Sequence, residues 1–333
     1  MSGTSQSVLV AGARTPVTGR GTGPLSAVDA GAVAIRAALD RAGIAGHDVG
    51  HVVVGGDPAS DPGPRAAREA ALKAGVRPSA LPLAAGTGAA ARGLSVLARA
   101  DALVRSGAHE IVIAAGLEAL RAPLAREPEL AEALLGRFVC EAAARAASTV
   151  PEKDGARHWA ERAVARAPAS VPAVRICVPE AGARGVREAA PVPGGAAAVV
   201  VDRALADSLG LGRLALISAY AAVTGSAGSP AALAARALEE ALERAGLTAA
   251  GLDHVEVDRA LPAGSALLSR RLPAPARDPA AQGADLPDLP LGASGPRIAL
   301  HLAQVLHRGG GTFGAAVRAD AGRGEALIIR GGP

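Results

Sequence analysis

The chain has 333 residues, half of them hydrophobic, which supports one large or two medium domains and excludes a disordered polymer. Aromatics are 1% of the total, so the core has to be Ala, Val and Leu in close helix-to-sheet packing. A net charge of +4 suits an anionic metabolite, but scattered arginines without aromatic platforms argue against nucleic acid as a partner.

The predicted elements alternate along the chain. Residues 7–11 read as a strand and 27–42 as a helix, with Ser26 as its N-cap. A strand over 52–54 precedes a helix over 64–74, with Pro64 near its first turn. Then come a strand over 81–85, a helix over 88–106 and a strand over 111–115. Residues 121–193 read as an insertion that caps the core, helical over 127–145 and 154–167 and punctuated by Pro. Residues 194–210 give a strand and a short helix. A strand over 214–219, a helix over 230–245 and a strand over 255–257 follow. A Pro-, Asp- and Gly-dense surface loop covers 272–290. A helix over 294–306, with Ser294 at its start, and strands over 312–317 and 326–330 complete the chain. Strands alternating with long helices predict α/β layers.

Two cysteines, Cys140 and Cys177, make no CxxC pair, and the seven histidines are dispersed. His301 and His307 are not at a same-face helical spacing. No metal site is expected, and the cysteine usage reads as a reducing compartment. The opening MSGTSQSVLVAGARTP has no basic segment ahead of a long apolar run, and no stretch reaches about 18 apolar residues. A cytoplasmic protein without a membrane partner is expected.

The chain contains an internal repeat. AIRAALDRAGIAGHDVGHVVV (34–54) aligns without gaps on ALEEALERAGLTAAGLDHVEV (237–257). Ala38 meets Ala241, Leu39 meets Leu242, Arg41 meets Arg244, Gly43 meets Gly246 and His51 meets His254. Each copy reads as a helix ending in RAG, where Gly supplies a left-handed C-terminal residue, then a short loop and a buried strand. A duplicated α/β unit is the simplest account.

A glycine-rich loop, LPLAAGTGAAARGL (81–94), stands between a predicted strand and helix. Gly86, Gly88 and Ala91 formally fit a dinucleotide fingerprint. The acid that fingerprint requires belongs near the end of the next strand. Glu110 begins that strand instead, which argues against nucleotide binding here.

Seven segments together resemble the thiolase family. VLVAGARTP (8–16) looks like its opening strand. LVRSGAHEIVIAAGLEAL (103–120) is similar to its helix, Gly, strand and GGMES-type turn. VCEAAARAA (139–147) and KDGARHWAERAVARA (153–167) resemble the start of its cap domain. VPGGAAAVVVD (192–202) is similar to its NDGAAA strand, and LDHVEVDRALPA (252–263) stands where the family has VEANEAFA. LPLGASGPRIALHLAQVLHR (289–308) resembles HPIGASGARI. AVRADAGRGEALIIR (316–330) stands at CIGGGMGVAM, whose glycines it keeps poorly. The resemblance implies a thiolase fold: two duplicated βαβαβαββ halves layered α-β-α-β-α, with a shortened cap. It divides the chain into an N-terminal half (1–120), a cap (121–193), a return strand and helix (194–210) and a C-terminal half (211–333).

The resemblance also implies the chemistry of thiolysis or Claisen condensation of acyl-CoA. The family uses a helix-terminal Cys nucleophile, a GHP His, an Asn that holds an oxyanion-site water and a second Cys that moves the α-proton. Carried over by ungapped counting, these positions are Ala90, Leu289, Asp258 and Arg318. The catalytic set is therefore expected to be absent. Gly88, Ala91, Gly93, Ser294 and Gly295 remain as ligand-binding candidates. Asp258 and Arg318 are expected to face each other as a compensating pair.

Thr87, Ser95 and Cys140 are the candidates to replace the nucleophile; the bland reading of Cys140 is a small buried apolar residue. The expected function is a non-catalytic thiolase-like protein of lipid metabolism that binds acyl-CoA or acts as a partner subunit. Family members imply a homodimer, or a heterodimer with an active thiolase-like subunit, and no cofactor beyond a coenzyme A thioester as ligand. The alternative is an active acetyl-CoA acetyltransferase-type enzyme using other residues.

Overall fold

The computed structural model describes residues 6–15, 26–56, 63–80, 93–119, 193–225, 230–258, 291–320 and 322–332. They fall into two compact units. The first holds β1 (Ser7–Arg14), α1 (Ala27–Ala42), β2 (His51–Gly55), α2 (Gly63–Lys73), α3 (Ser95–Arg105), β3 (Ile111–Ala119), β4 (Pro193–Asp202) and α4 (Arg203–Ser208). Its strands run in the order β2-β3-β4-β1, with β2 and β3 parallel and the other pairs antiparallel.

The second unit holds β5 (Ala215–Thr224), α5 (Pro230–Ala245), β6 (His254–Val257), β7 (Phe313–Asp320) and β8 (Arg323–Gly331). Its order is β6-β7-β8-β5, with β6 and β7 parallel. Helix α6 (Leu291–Gly309) contributes its start to the first unit and its end to the second.

The repeat read from the sequence extends to the register of every strand. Leu9 pairs with Val200 and Ala11 with Val199, which leaves a bulge in β1. At the matching place in β5, Ile217 pairs with Ile329 and Ala219 with Ile328. His51 opposite Val112 in the parallel pair answers to His254 opposite Gly314. Ile111 opposite Val201 answers to Phe313 opposite Arg330.

The packing repeats as well. Helix α1 starts at Ser26, whose Oγ accepts from the Asp29 amide at 3.1 Å, and ends at Gly43 with φ 66°. Gly246 ends α5 with the same φ. A Cβ on Gly195 of β4 would sit 2.5 Å from the Ala30 carbonyl oxygen of α1. A Cβ on Gly324 of β8 would sit 2.2 Å from the Leu233 carbonyl oxygen of α5. Both helices therefore lie with their backbone on a glycine of the sheet, which small-residue packing permits.

Several boundaries differ from the sequence expectation. The helix expected over 88–106 begins at Ser95 among the described residues, because Gly93 has φ 69° and turns the chain. The helix expected to start at Ser294 starts at Leu291, which leaves Ser294 buried within it. Strands β7 and β8 run to Asp320 and from Arg323, past the expected 317 and 326. Arg318 and Glu325 lie just beyond the expected strand ends. In the fold they lie opposite each other, so the ladder continues to Asp320 opposite Arg323. The expected strand over 81–85, the cap and the 272–290 loop lie outside the described residues. Among the described residues, no helix is long and apolar enough to cross a membrane.

Candidate functional site

The second unit has two different sheet faces. Ala219, Ala221, Val223, Val255, Ala315, Val317, Ala319, Ala326 and Ile328 form an apolar cluster with α5. Strand alternation puts Tyr220, Arg318 and Glu325 on the other face. That face meets α6, since a Cβ on Gly314 would fall 2.8 Å from a Leu302 δ-carbon and 3.1 Å from one of Leu306.

The α6 face carries a buried ion cluster. Arg318 is 1% exposed, as is Glu325, and Asp258 is 2% exposed. Arg318 Nη1 donates to Glu325 Oε2 at 3.0 Å, and its Nε lies 3.5 Å from Asp258 Oδ2. Asp258 is held by its own backbone, which donates to the Val317 carbonyl at 2.8 Å and continues the β6–β7 ladder by one residue. Tyr220 Oη donates to Glu325 Oε1 at 2.6 Å. Arg323 Nη2 donates to Tyr220 Oη at 3.1 Å, and its Nε reaches Glu325 Oε1 at 3.4 Å. Burial, then the Glu325 charge, push the Tyr220 phenol above its ordinary range, so it stays protonated and donates.

The expected Asp258–Arg318 pair is thus present. Glu325, Tyr220 and Arg323 were not anticipated. A signal for Glu325 existed: the two strands are adjacent in sequence, and their antiparallel register sets 318 against 325. Nothing in the linear pattern marks Tyr220, which comes from a strand 105 residues away from its partner.

A second buried polar pair lies nearby on β6 and α6. His301 Nδ1 is 2.9 Å from Glu256 Oε2, with both side chains at most 7% exposed. Strand alternation puts Glu256 and Asp258 on the same face.

Of the ligand-binding candidates, Gly93 and Gly295 meet backbone to backbone: a Cβ on Gly295 would fall 1.9 Å from the Gly93 carbonyl. Gly93, at the end of the glycine-rich stretch, therefore touches the GASG helix start. Ser294 and Ser95 are both buried, at 1% and 4% exposure. Gly88, Ala91, Ala90, Leu289, Thr87 and Cys140 lie outside the described residues. Glu110 lies just ahead of β3, as the sequence implies. No three His, Cys, Asp or Glu side chains converge as a metal site among the described residues.

The chemistry available on the described face is limited. A guanidinium does not deprotonate near neutral pH, and here it is held by two carboxylates. Asp258, as a carboxylate, accepts hydrogen bonds and cannot donate from an amide as Asn does.

Comparison with known proteins agrees with this architecture. The thiolase N-terminal domain model matches residues 7–137, and the thiolase C-terminal domain model matches 211–331. A "Probable acetyl-CoA acetyltransferase" of Mycobacterium leprae is 30% identical over 97% of this chain and 99% of its own length. Another of the same description, from Mycolicibacterium smegmatis, is 28% identical over 97% of this chain and its own full length. Among solved structures, human mitochondrial 3-ketoacyl-CoA thiolase in complex with CoA superimposes with a TM-score of 0.78. That match covers 98% of both chains at 19% identity, a likeness of fold. The duplicated unit, the strand register and these matches converge: the chain belongs to the thiolase family.

Proposed function

We propose that the chain is a thiolase-fold protein without thiolase catalysis, acting as an acyl-CoA-binding or partner subunit. The observation that supports this reading most is the Arg318–Asp258 pair. By resemblance these positions belong to the proton-moving Cys and the water-holding Asn, and here they neutralise each other in a buried ion pair. Arg318 cannot accept the α-proton of an acyl thioester. With Ala at position 90 and Leu at 289, the family's nucleophile position carries no thiol and its GHP position no imidazole.

In its acyl-CoA-binding form the proposed ligand is a coenzyme A thioester, without a further cofactor. The proposed assembly is a homodimer, or a heterodimer with an active thiolase-like subunit, in the cytoplasm, with a shortened cap over residues 121–193. The second reading is an active acyltransferase of the acetyl-CoA acetyltransferase type. It is favoured by two relatives described as probable acetyl-CoA acetyltransferases.

The test is thiolysis of acetoacetyl-CoA by CoA with the purified chain, followed by thioester absorbance. No turnover above the uncatalysed rate is expected. Turnover abolished by Cys140→Ala or Ser95→Ala would establish the second reading instead.

A further inference from the structure

The two units provide an internal comparison. Strand registers make Gly12 the counterpart of Tyr220, Gly55 of Asp258, Gly116 of Arg318, Gly194 of Arg323 and Ala196 of Glu325. In the first unit these five positions carry four glycines and one alanine. In the second they carry a phenol, two carboxylates and two guanidiniums. The same backbone therefore carries almost no side chain at these five positions in the first unit and charged or phenolic ones in the second.

The filling is mutual. Glu325 is reached by Tyr220, Arg318 and Arg323, and Arg318 is shared between Glu325 and Asp258. Among these five, two positive and two negative groups meet, so opposite charges face each other within the cluster. A single buried charge of this kind would be costly, and each member is tolerable because the others are present. The diagonal contact from Tyr220 to Glu325 and the direct one from Arg318 to Glu325 also stitch β5, β8 and β7 together.

We propose that these five residues form one interdependent charge cluster that closes the α6 face of the second unit to an acyl thioester. This rests on the reading of Asp258 and Arg318 as family site positions, and it deepens that reading: of its two forms, the partner subunit is selected over the acyl-CoA receptor. A thioester carbonyl and its α-carbon would have to enter where the Arg318 guanidinium and the Glu325 carboxylate already satisfy each other. Opening that space separates opposite charges in a buried site.

Two measurements test it. The first uses the unaltered chain: calorimetry with acetyl-CoA and acetoacetyl-CoA up to millimolar concentration, with hydrogen exchange of β6, β7 and β8 recorded alongside. No saturable heat and no new protection of these strands is expected. Saturable binding that protects them overturns the inference. Such binding without turnover leaves the non-catalytic reading intact, whereas turnover in the thiolysis assay overturns that reading itself.

The second measurement is a thermal cycle of Arg318→Ala, Glu325→Ala and the double variant. Each single variant is expected to lower Tm by about 5–10 °C, because each strands a buried charge. The double variant is expected to lose clearly less than the two single losses combined. Additive losses, or single variants at the parent Tm, overturn the interdependence. If a single variant does not fold, Tyr220→Phe tests the same coupling: it should soften the response to Glu325→Gln.

Discussion

Gly324→Ala offers a demanding check on how closely the duplicated helices are seated. The new methyl carbon would lie 2.2 Å from the Leu233 carbonyl oxygen and 2.3 Å from its carbon, both main-chain atoms. Ordinary contact needs roughly 1 Å more, and α5 cannot supply that by rotating a side chain. Strand β8 and helix α5 would have to separate, an overpacking strain of about 1–3 kcal/mol. Gly195→Ala meets the Ala30 carbonyl of α1 at 2.5 Å and should cost an amount in the same range. Gly12→Ala is the control. Its Cβ would also come within 2.2 Å of a heavy atom, but that atom is a Leu300 δ-carbon, which a rotamer change can move. Its cost should be the smallest of the three. Urea unfolding of the three variants, followed by circular dichroism, gives the order directly. A Gly324→Ala variant within about 0.5 kcal/mol of the parent, or a Gly12→Ala loss larger than both others, would refute the reasoning.

Two further outcomes are expected. The His51 ring stacks on His109 with centroids 5.1 Å apart, and burial, then His109 and Arg99, hold its pKa below the usual 6.5. The unfolded chain therefore takes up a proton at a pH where the folded one does not. Stability should be complete above pH 6.5 and decline as pH falls below it. Urea midpoints between pH 8 and 5 check this: His51→Gln should flatten the decline, and an unchanged slope would count against it. Ser26→Ala removes the oxygen that accepts from the Asp29 amide and should cost about 1 kcal/mol, read from the same unfolding curves.

Local signals carried far in this chain. The RAG helix ends, the Ser26 cap and the duplicated HVVV and HVEV strands were all legible, because each depends on residues within a few positions. The assignment of positions 90, 258, 289 and 318 to the family's catalytic set rests on the resemblance of the flanking motifs, and Ala90 and Leu289 lie outside the described residues. The strands extend beyond the expected 317 and 326 because Arg318 and Glu325 pair across the ladder, a contact visible only in the fold.

The amino-acid sequence by itself determined the duplicated α/β plan, which follows from local periodicity, while the expectation that Asp258 and Arg318 pair came from the resemblance of their flanking motifs to the thiolase family. Tertiary structure alone decided that Tyr220 and Arg323 join that pair, that Gly93 touches Gly295, and that His51 stacks on His109. Each of these contacts joins residues whose separation is absorbed by loops of arbitrary length. Only the closed strand register, including a matched bulge in β1 and β5, brings such residues to one face. At five registered positions the two units share a backbone and differ in side chain: four glycines and one alanine in the first, a phenol, two carboxylates and two guanidiniums in the second.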